Sequence, residues 1–257
     1  MESSKTNSLA VLIAARNEAD VIAATIGSLR EAFPGAVLWV ADDASDDGTA
    51  DAAMAAGAKV VSRGKPHGKG GNMTACAEAM LSDPGRDGEG PPDCVLLCDG
   101  DLGASAGHLA PLVDAVEAGE CDLAVAMFAK RVGGGFGFAL GFSAWVIRRR
   151  CGAEPQAPIS GQRAMKLDVL RRVLPFAPAY GMETGMTIDA VRAGYRLGEY
   201  EIDLAHKATG KSIKGFIHRF RQLLDFARVW WARRGGRGPD GKRPVESVAG
   251  SRPGATG

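Results

Sequence analysis

The chain has 257 residues, 46% of them apolar and 24% charged, and its formal net charge is +1. That is enough chain for one large α/β domain with a substantial core, and the near-zero charge gives no field that would draw in nucleic acid or an acidic polymer. The five cysteines include no C-x-x-C pair and no histidine at zinc spacing, which excludes a zinc ribbon, and their odd number argues against a disulfide framework.

From the N-terminus, Leu9 to Ala14 is an unbroken apolar run that predicts a buried parallel strand. Val21, Ile22, Ile26, Leu29 and Phe33 then recur at helical spacing, and Pro34-Gly35 ends that helix. Ala36 to Ala41 reads as a second strand, Thr49 to Ala56 as a short helix and Ala58 to Ser62 as a third strand. Gly70 to Leu81 follows as a helix, Asp83 to Asp93 as a Gly/Pro-rich loop, and Cys94 to Cys98 as a fourth strand. Ala106 to Ala118 is helical and Cys121 to Phe128 a fifth strand, so strands alternate with helices as in a mostly parallel sheet covered on both faces. Five glycines between Val132 and Phe142 predict a mobile loop. Leu167 to Leu174 and Glu183 to Ala193 look helical, and Arg196 to Asp203 alternates like a strand. A long basic amphipathic helix is expected from Ile213, and a Gly/Pro/Arg-rich disordered tail after Arg234. Met1 to Ser8 lacks a secretory apolar region and no stretch reaches eighteen apolar residues, so a cytoplasmic protein is expected.

Four segments carry chemistry. Ala14-Ala15-Arg16-Asn17-Glu18 ends the first strand, and Asp42-Asp43-Ala44-Ser45-Asp46-Asp47-Gly48-Thr49 ends the second. Ligands of open parallel sheets bind beyond the carboxyl ends of strands, so both point to one crevice, where a carboxylate can accept from a nucleobase N–H or a ribose hydroxyl. Asp42 and Asp43 are read as nucleotide contacts, Asp46 and Asp47 as helix caps. Asp99-Gly100-Asp101 follows the fourth strand directly, and two carboxylates two residues apart suit Mg²⁺ or Mn²⁺ bridging a diphosphate. Arg63-Gly64-Lys65-Pro66-His67-Gly68-Lys69-Gly70-Gly71-Asn72 leads into a helix, and its glycines and lysine make either an anion site or a flexible surface loop.

These four segments, in this order and the last through its Gly68-Lys69-Gly70, resemble the family 2 glycosyltransferases of the GT-A fold. The resemblance implies an α/β domain over residues 1–234, with a nucleotide-sugar half at about 8–130 and an acceptor half at about 131–234. It implies that Ala15, Asn17, Glu18, Asp42, Asp43, Lys69 and Asp99 contact a UDP- or GDP-sugar donor, and that Asp99 and Asp101 serve the nucleotide and its Mg²⁺ or Mn²⁺.

In the second half, Ser160-Gly161-Gln162-Arg163 is similar to an element of polyprenyl- and dolichyl-phosphate sugar synthases, and Arg163 could pair with a phosphate or be an exposed arginine near a helix start. Tyr180-Gly181-Met182-Glu183 resembles a segment of glucosyl-3-phosphoglycerate synthases, making Glu183 the candidate base for an acceptor hydroxyl. The same likeness makes His206 a third metal ligand and Lys211 a phosphate contact. The helix over 213–234, ending in Trp230-Trp231, packs on the sheet or lies on a membrane surface. The acceptor is then a polyprenyl phosphate or a small phosphorylated acid. The rival functions are a sugar nucleotidyltransferase and a non-catalytic nucleotide- or lipid-binding module. A dinucleotide-dependent dehydrogenase is excluded by the lack of G-x-G-x-x-G after the first strand.

Overall fold

The computed structural model describes residues 8–83, 91–128, 137–204, 228–233 and 248–249. In chain order the elements are β1 (Leu9–Ala15), α1 (Ile22–Ala32), β2 (Val37–Asp42), α2 (Thr49–Ala55), β3 (Lys59–Ser62), α3 (Gly68–Ser82) and β4 (Cys94–Asp99). A 3₁₀ segment, Gly103–Leu109, leads into α4 (Ala110–Glu117), then β5 (Leu123–Phe128) and α5 (Gly137–Cys151). They are followed by β6 (Arg163–Lys166), α6 (Leu167–Val173), α7 (Met182–Arg192), β7 (Leu197–Ile202) and β8 (Val248–Ala249).

The strands form one sheet in the order β3-β2-β1-β4-β6-β5-β7-β8. β1 is central and apolar on both faces, as a parallel strand under helices must be. Its Val11 and Ile13 pack with Ile22, Ile26 and Leu29 of α1 on one side. Ala10 and Leu12 pack with Met73, Cys76, Ala77 and Met80 of α3 on the other. Alternation along a single strand therefore feeds two cores.

The parallel strands fall within a residue or so of the spans read from sequence, while three features differ. β6 had no sequence signal: four residues, Arg-Ala-Met-Lys, are too short for a period, yet they run antiparallel between β4 and β5. The loop expected over 132–142 is corrected from Gly137 onward, where α5 begins. Its glycines suggested a loop, but Val146 and Ile147 are fully buried against Ile188 of α7, and that packing outweighs their weak helix propensity. The helix expected over 106–118 is split at Ala110, with Pro111 in the first turn of α4. Of the 213–234 helix and the 235–257 tail, 228–232 is helical and Val248–Ala249 pair with β7; the remainder lies outside the described residues.

Asp122 sits just before β5 and ties three strands together. It accepts from Lys166 Nζ at the end of β6 (2.6 Å), and from Arg196 N (2.9 Å) and Nε (3.2 Å) just before β7. Burial alone would raise its pKa, but Arg196 and Lys166 overcome this and hold the carboxyl at about 2. A depressed carboxyl pKa stabilises the fold above the ordinary value near 4, and that stabilisation fades as pH falls toward about 2. Asp122→Asn is expected to cost on the order of 1 kcal/mol at pH 7, allowing for solvent screening. Thermal unfolding should show the gap from wild type closing between pH 4 and pH 2.

Candidate active site

The carboxyl ends of β1, β2 and β4 open on one side of the sheet, and a hydrogen-bonded mesh fixes the loops leaving them. Asp43 N donates to Ala15 O (3.0 Å) and Gly100 N to Ala14 O (2.8 Å). Gly100 sits in a tight place, since a Cβ there would lie 3.1–3.2 Å from Ile22, Ala14 and Ala15 and its neighbours would have to give by a few tenths of an ångström. Asn17 has φ 56°, and it joins the first two loops: its N–H donates to Ser45 Oγ (2.9 Å) and its Oδ1 accepts from Asp46 N (3.2 Å). Glu18 N donates to Thr49 Oγ1 (2.8 Å), while Asp47 accepts from Ala19 N (3.1 Å) and Thr49 N (3.0 Å).

The paired aspartates at the end of β2 are both buried. Asp42 accepts from Ser62 Oγ (2.7 Å), and Asp43 from His67 N (2.7 Å), with Arg16 Nη1 at 3.6 Å. Beside them Arg63 Nε donates to Asn72 Oδ1 (3.2 Å), leaving Arg63 Nη2 and Asn72 Nδ2 buried with no hydrogen-bond partner among the described residues. Arg63 and Asn72 bound the Gly/Lys segment singled out from sequence, but their pairing appears only in the fold, which sets the end of β3 against the first turns of α3.

Lys69 is the centre of the cleft. Its ammonium lies 2.6 Å from Asp99 Oδ1 and 3.0 Å from Glu183 Oε1, joining α3, β4 and α7. Burial works against the charge, but Asp99 and then Glu183 outweigh it and hold the lysine above its ordinary pKa. Gly70 makes this placement possible: a Cβ there would come within 1.9 Å of Ala177 O, so only glycine lets the start of α3 sit against that loop. Gly161 closes the opposite wall, its missing Cβ 2.5 Å from Lys69 Nζ and 2.9 Å from Asp99 Oδ2.

Asp101 Oδ1 is buried and finds no hydrogen-bond partner among the described residues. An unpaired buried acceptor costs about 1–3 kcal/mol, and an ion more, so it calls for a cation or a further donor. Asp99 and Asp101 supply the hard oxygen ligands that Mg²⁺ and Mn²⁺ prefer, so the residues present fit such an ion. Among the described residues no cage of three or more His, Cys, Asp or Glu side chains forms. His206, the expected third ligand, and Lys211, the expected phosphate contact, lie outside the described residues.

Arg163 is directed away from the role read for it. It is 1% exposed, and its guanidinium donates to Ser160 O (2.8 Å), Thr187 Oγ1 (2.8 Å) and Pro158 O (3.4 Å). Burial pulls its pKa down to about 10 against the charges of Glu183 and Glu199. The side chain on the inner face of β6 braces α7 from behind the cleft, and the phosphate contact assigned to it is corrected accordingly. Its neighbour Gln162, given no role from sequence, donates Nε2 to Asp99 Oδ2 (2.7 Å).

Residues 10–162 match the glycosyl transferase family 2 model. The glucosyl-3-phosphoglycerate synthase of Mycolicibacterium paratuberculosis is 30% identical over 208 residues, 70% of this chain and 59% of that protein. The chain therefore spans less than two thirds of that curated relative. Crystal structures of glucosyl-3-phosphoglycerate synthase from Mycobacterium tuberculosis are also similar. The complex with Mg²⁺ and uridine diphosphate aligns with a TM-score of 0.69 at 25% identity, covering 92% of this chain and 82% of that one. The complex with Mn²⁺, uridine diphosphate and phosphoglyceric acid aligns with a TM-score of 0.69 at 25% identity, covering 95% and 89%.

Gly161→Ala is expected to push Lys69 off Asp99 while the fold survives, because the clash falls on the end of a flexible side chain. Titration calorimetry with Mn²⁺ and a nucleoside diphosphate should show binding weakened about tenfold, the worth of one charge-assisted hydrogen bond. Gly141→Ala, where a Cβ meets nothing within 4 Å, is the silent control.

Proposed function

Because the chain belongs to glycosyl transferase family 2 and has the GT-A fold, we propose that it moves a hexose from a uridine diphosphate sugar to a small phosphorylated acid, with Mg²⁺ or Mn²⁺ as cofactor. The observation that carries this reading is the Lys69 bridge, which sets a donor-side carboxylate, Asp99, against an acceptor-side one, Glu183, across a single ammonium. The complexes of the M. tuberculosis enzyme with uridine diphosphate, metal and phosphoglyceric acid support the same assignment of donor and acceptor.

In this mechanism Asp42 and Asp43 border the nucleoside, and the unpartnered donors of Arg63 and Asn72 suit the carbonyl oxygens of a pyrimidine. Asp101 and Asp99 hold the divalent ion, whose chemistry is to neutralise a leaving diphosphate. The acceptor hydroxyl attacks the anomeric carbon, the bond from that carbon to the diphosphate oxygen breaks, and Glu183 takes the hydroxyl proton. Lys69, hydrogen-bonded to Glu183, steadies that carboxylate and adds positive charge near the departing phosphates. The Arg163 guanidinium holds the helix bearing Glu183 through Thr187.

Peripheral membrane contact, expected through the 213–234 helix, draws support from exposed side chains of its 228–232 part and of α5. Trp145 is 41% and Trp231 61% exposed, beside exposed Arg148, Arg149 and Arg228. Tryptophan and arginine together suit the headgroup zone of an anionic bilayer. Among the described residues no helix is long and apolar enough to cross a membrane.

Two measurements test these readings. Nucleoside diphosphate release from UDP-, GDP- and dTDP-sugars, with 3-phosphoglycerate as acceptor, should be seen for UDP-glucose with Mn²⁺ and abolished by EDTA. Asp101→Ala should lower it about a thousandfold, as expected when charge stabilisation of a leaving group is lost. Full activity of that variant would sink the mechanism. Cosedimentation with phosphatidylglycerol-containing vesicles, and not with pure phosphatidylcholine, should be lost on Trp145→Ala/Trp231→Ala; no cosedimentation of the wild type ends the membrane reading.

A further inference from the structure

Asp99 is held from two sides by groups of different charge. Lys69 donates to Oδ1 (2.6 Å), and Gln162 Nε2 donates to Oδ2 (2.7 Å). Gln162 is 1% exposed and is itself anchored twice. Its main-chain O accepts from Ala126 N of β5 (3.0 Å), and its Oε1 accepts from Ser160 Oγ (3.3 Å). A side chain fixed at both ends, one residue before β6, cannot swing away from the end of β4.

We propose that Gln162 is a positioning residue for donor binding: its buried amide orients the Asp99 carboxylate, with Ser160 holding the amide in turn. The chemistry of the position supports this role. A neutral amide donates one hydrogen bond without adding charge, so Asp99 keeps its negative charge for the donor and its ion. Lysine or arginine would put a second cation on a carboxylate that already pairs with Lys69, and glutamate would face it with a second carboxylate. An apolar residue would leave Oδ2 short of its amide donor, and asparagine falls one methylene short. The Ser160–Gln162–Asp99 relay also carries β6 into the site, which explains why this short antiparallel strand borders a cleft otherwise built at parallel strand ends. The inference rests on the glycosyltransferase reading above.

The test is a variant series on the full chain. Gln162→Met keeps the volume and removes both hydrogen-bonding groups, while Ser160→Ala removes only the outer hydroxyl. Calorimetric titration of Mn²⁺ with uridine diphosphate, melting temperature and kcat against KM are measured for each. Gln162→Met is expected to weaken uridine diphosphate binding about tenfold, the worth of a hydrogen bond to a charged group, with the melting temperature near wild type. Ser160→Ala should give a smaller loss in the same direction, and the double variant should equal Gln162→Met, because Ser160 acts through the amide. Wild-type affinity in Gln162→Met, or a lowered melting temperature with unchanged affinity and kcat, would show a merely structural glutamine and overturn the proposal. Should Gln162→Met fail to fold, Ser160→Ala decides: weakened binding supports the relay and wild-type binding rejects it. Absence of Mn²⁺-dependent uridine diphosphate binding in the wild type would instead defeat the donor reading itself.

Discussion

One ammonium group organises the molecule's working face. Lys69 Nζ touches carboxylates from β4 and α7 at once, so three elements far apart in sequence must meet within hydrogen-bonding distance. Take the charge away and Asp99 and Glu183 would face each other in a half-buried cleft, which low dielectric makes costly. The surroundings are shaped to bring this contact about. Gly70 lets α3 begin against the Ala177 carbonyl, Gly161 keeps the far wall flat, and Gly100 lets the chain after β4 turn beneath Ile22. Each is a place where the absence of a side chain positions a charged one.

The sheet order explains why two kinds of chemistry share that contact. β3, β2, β1 and β4 form a parallel unit whose carboxyl ends carry Asp42, Asp43 and the Asp99–Asp101 pair. Between β4 and the parallel pair β5–β7 lies β6, running the other way. Its reversed direction delivers Gly161 and Gln162 to the same edge at which β4 ends, and it turns Arg163 inward to brace the helix carrying Glu183. Asp99 and Glu183 thus meet across an inserted strand, and Asp122 clamps the opposite ends of the strands concerned.

How far the sequence disclosed this follows from what leaves a periodic or positional trace. The strands of the parallel unit were visible as apolar runs, since burial on both faces removes polar residues, and the motifs at their ends were visible because ligand crevices lie there. Glu183 was singled out by the likeness of Tyr180-Gly181-Met182-Glu183 to a family segment, and it lies in the first turn of α7. Long-range partnerships were not visible. That Arg163 is fully buried rather than reaching for a phosphate depends on β6, whose four residues have no period. Gln162 acquires meaning only once strands distant in sequence lie side by side, and the Arg63–Asn72 pair only once the short turn from β3 into α3 closes. The α5 helix was hidden by glycines whose local preference is overridden by Val146 and Ile147 packing on α7.

The central place of β6 also constrains how the cleft exchanges its contents. Because this strand is hydrogen-bonded to β4 on one side and β5 on the other, the parallel unit β3-β2-β1-β4 and the β5–β7 pair are one continuous backbone lattice. They cannot part like the shells of a bivalve without tearing a ladder of amide bonds. Any opening of the candidate site that leaves this ladder intact must therefore come from the loops and side chains beyond the strand ends rather than from the sheet beneath them.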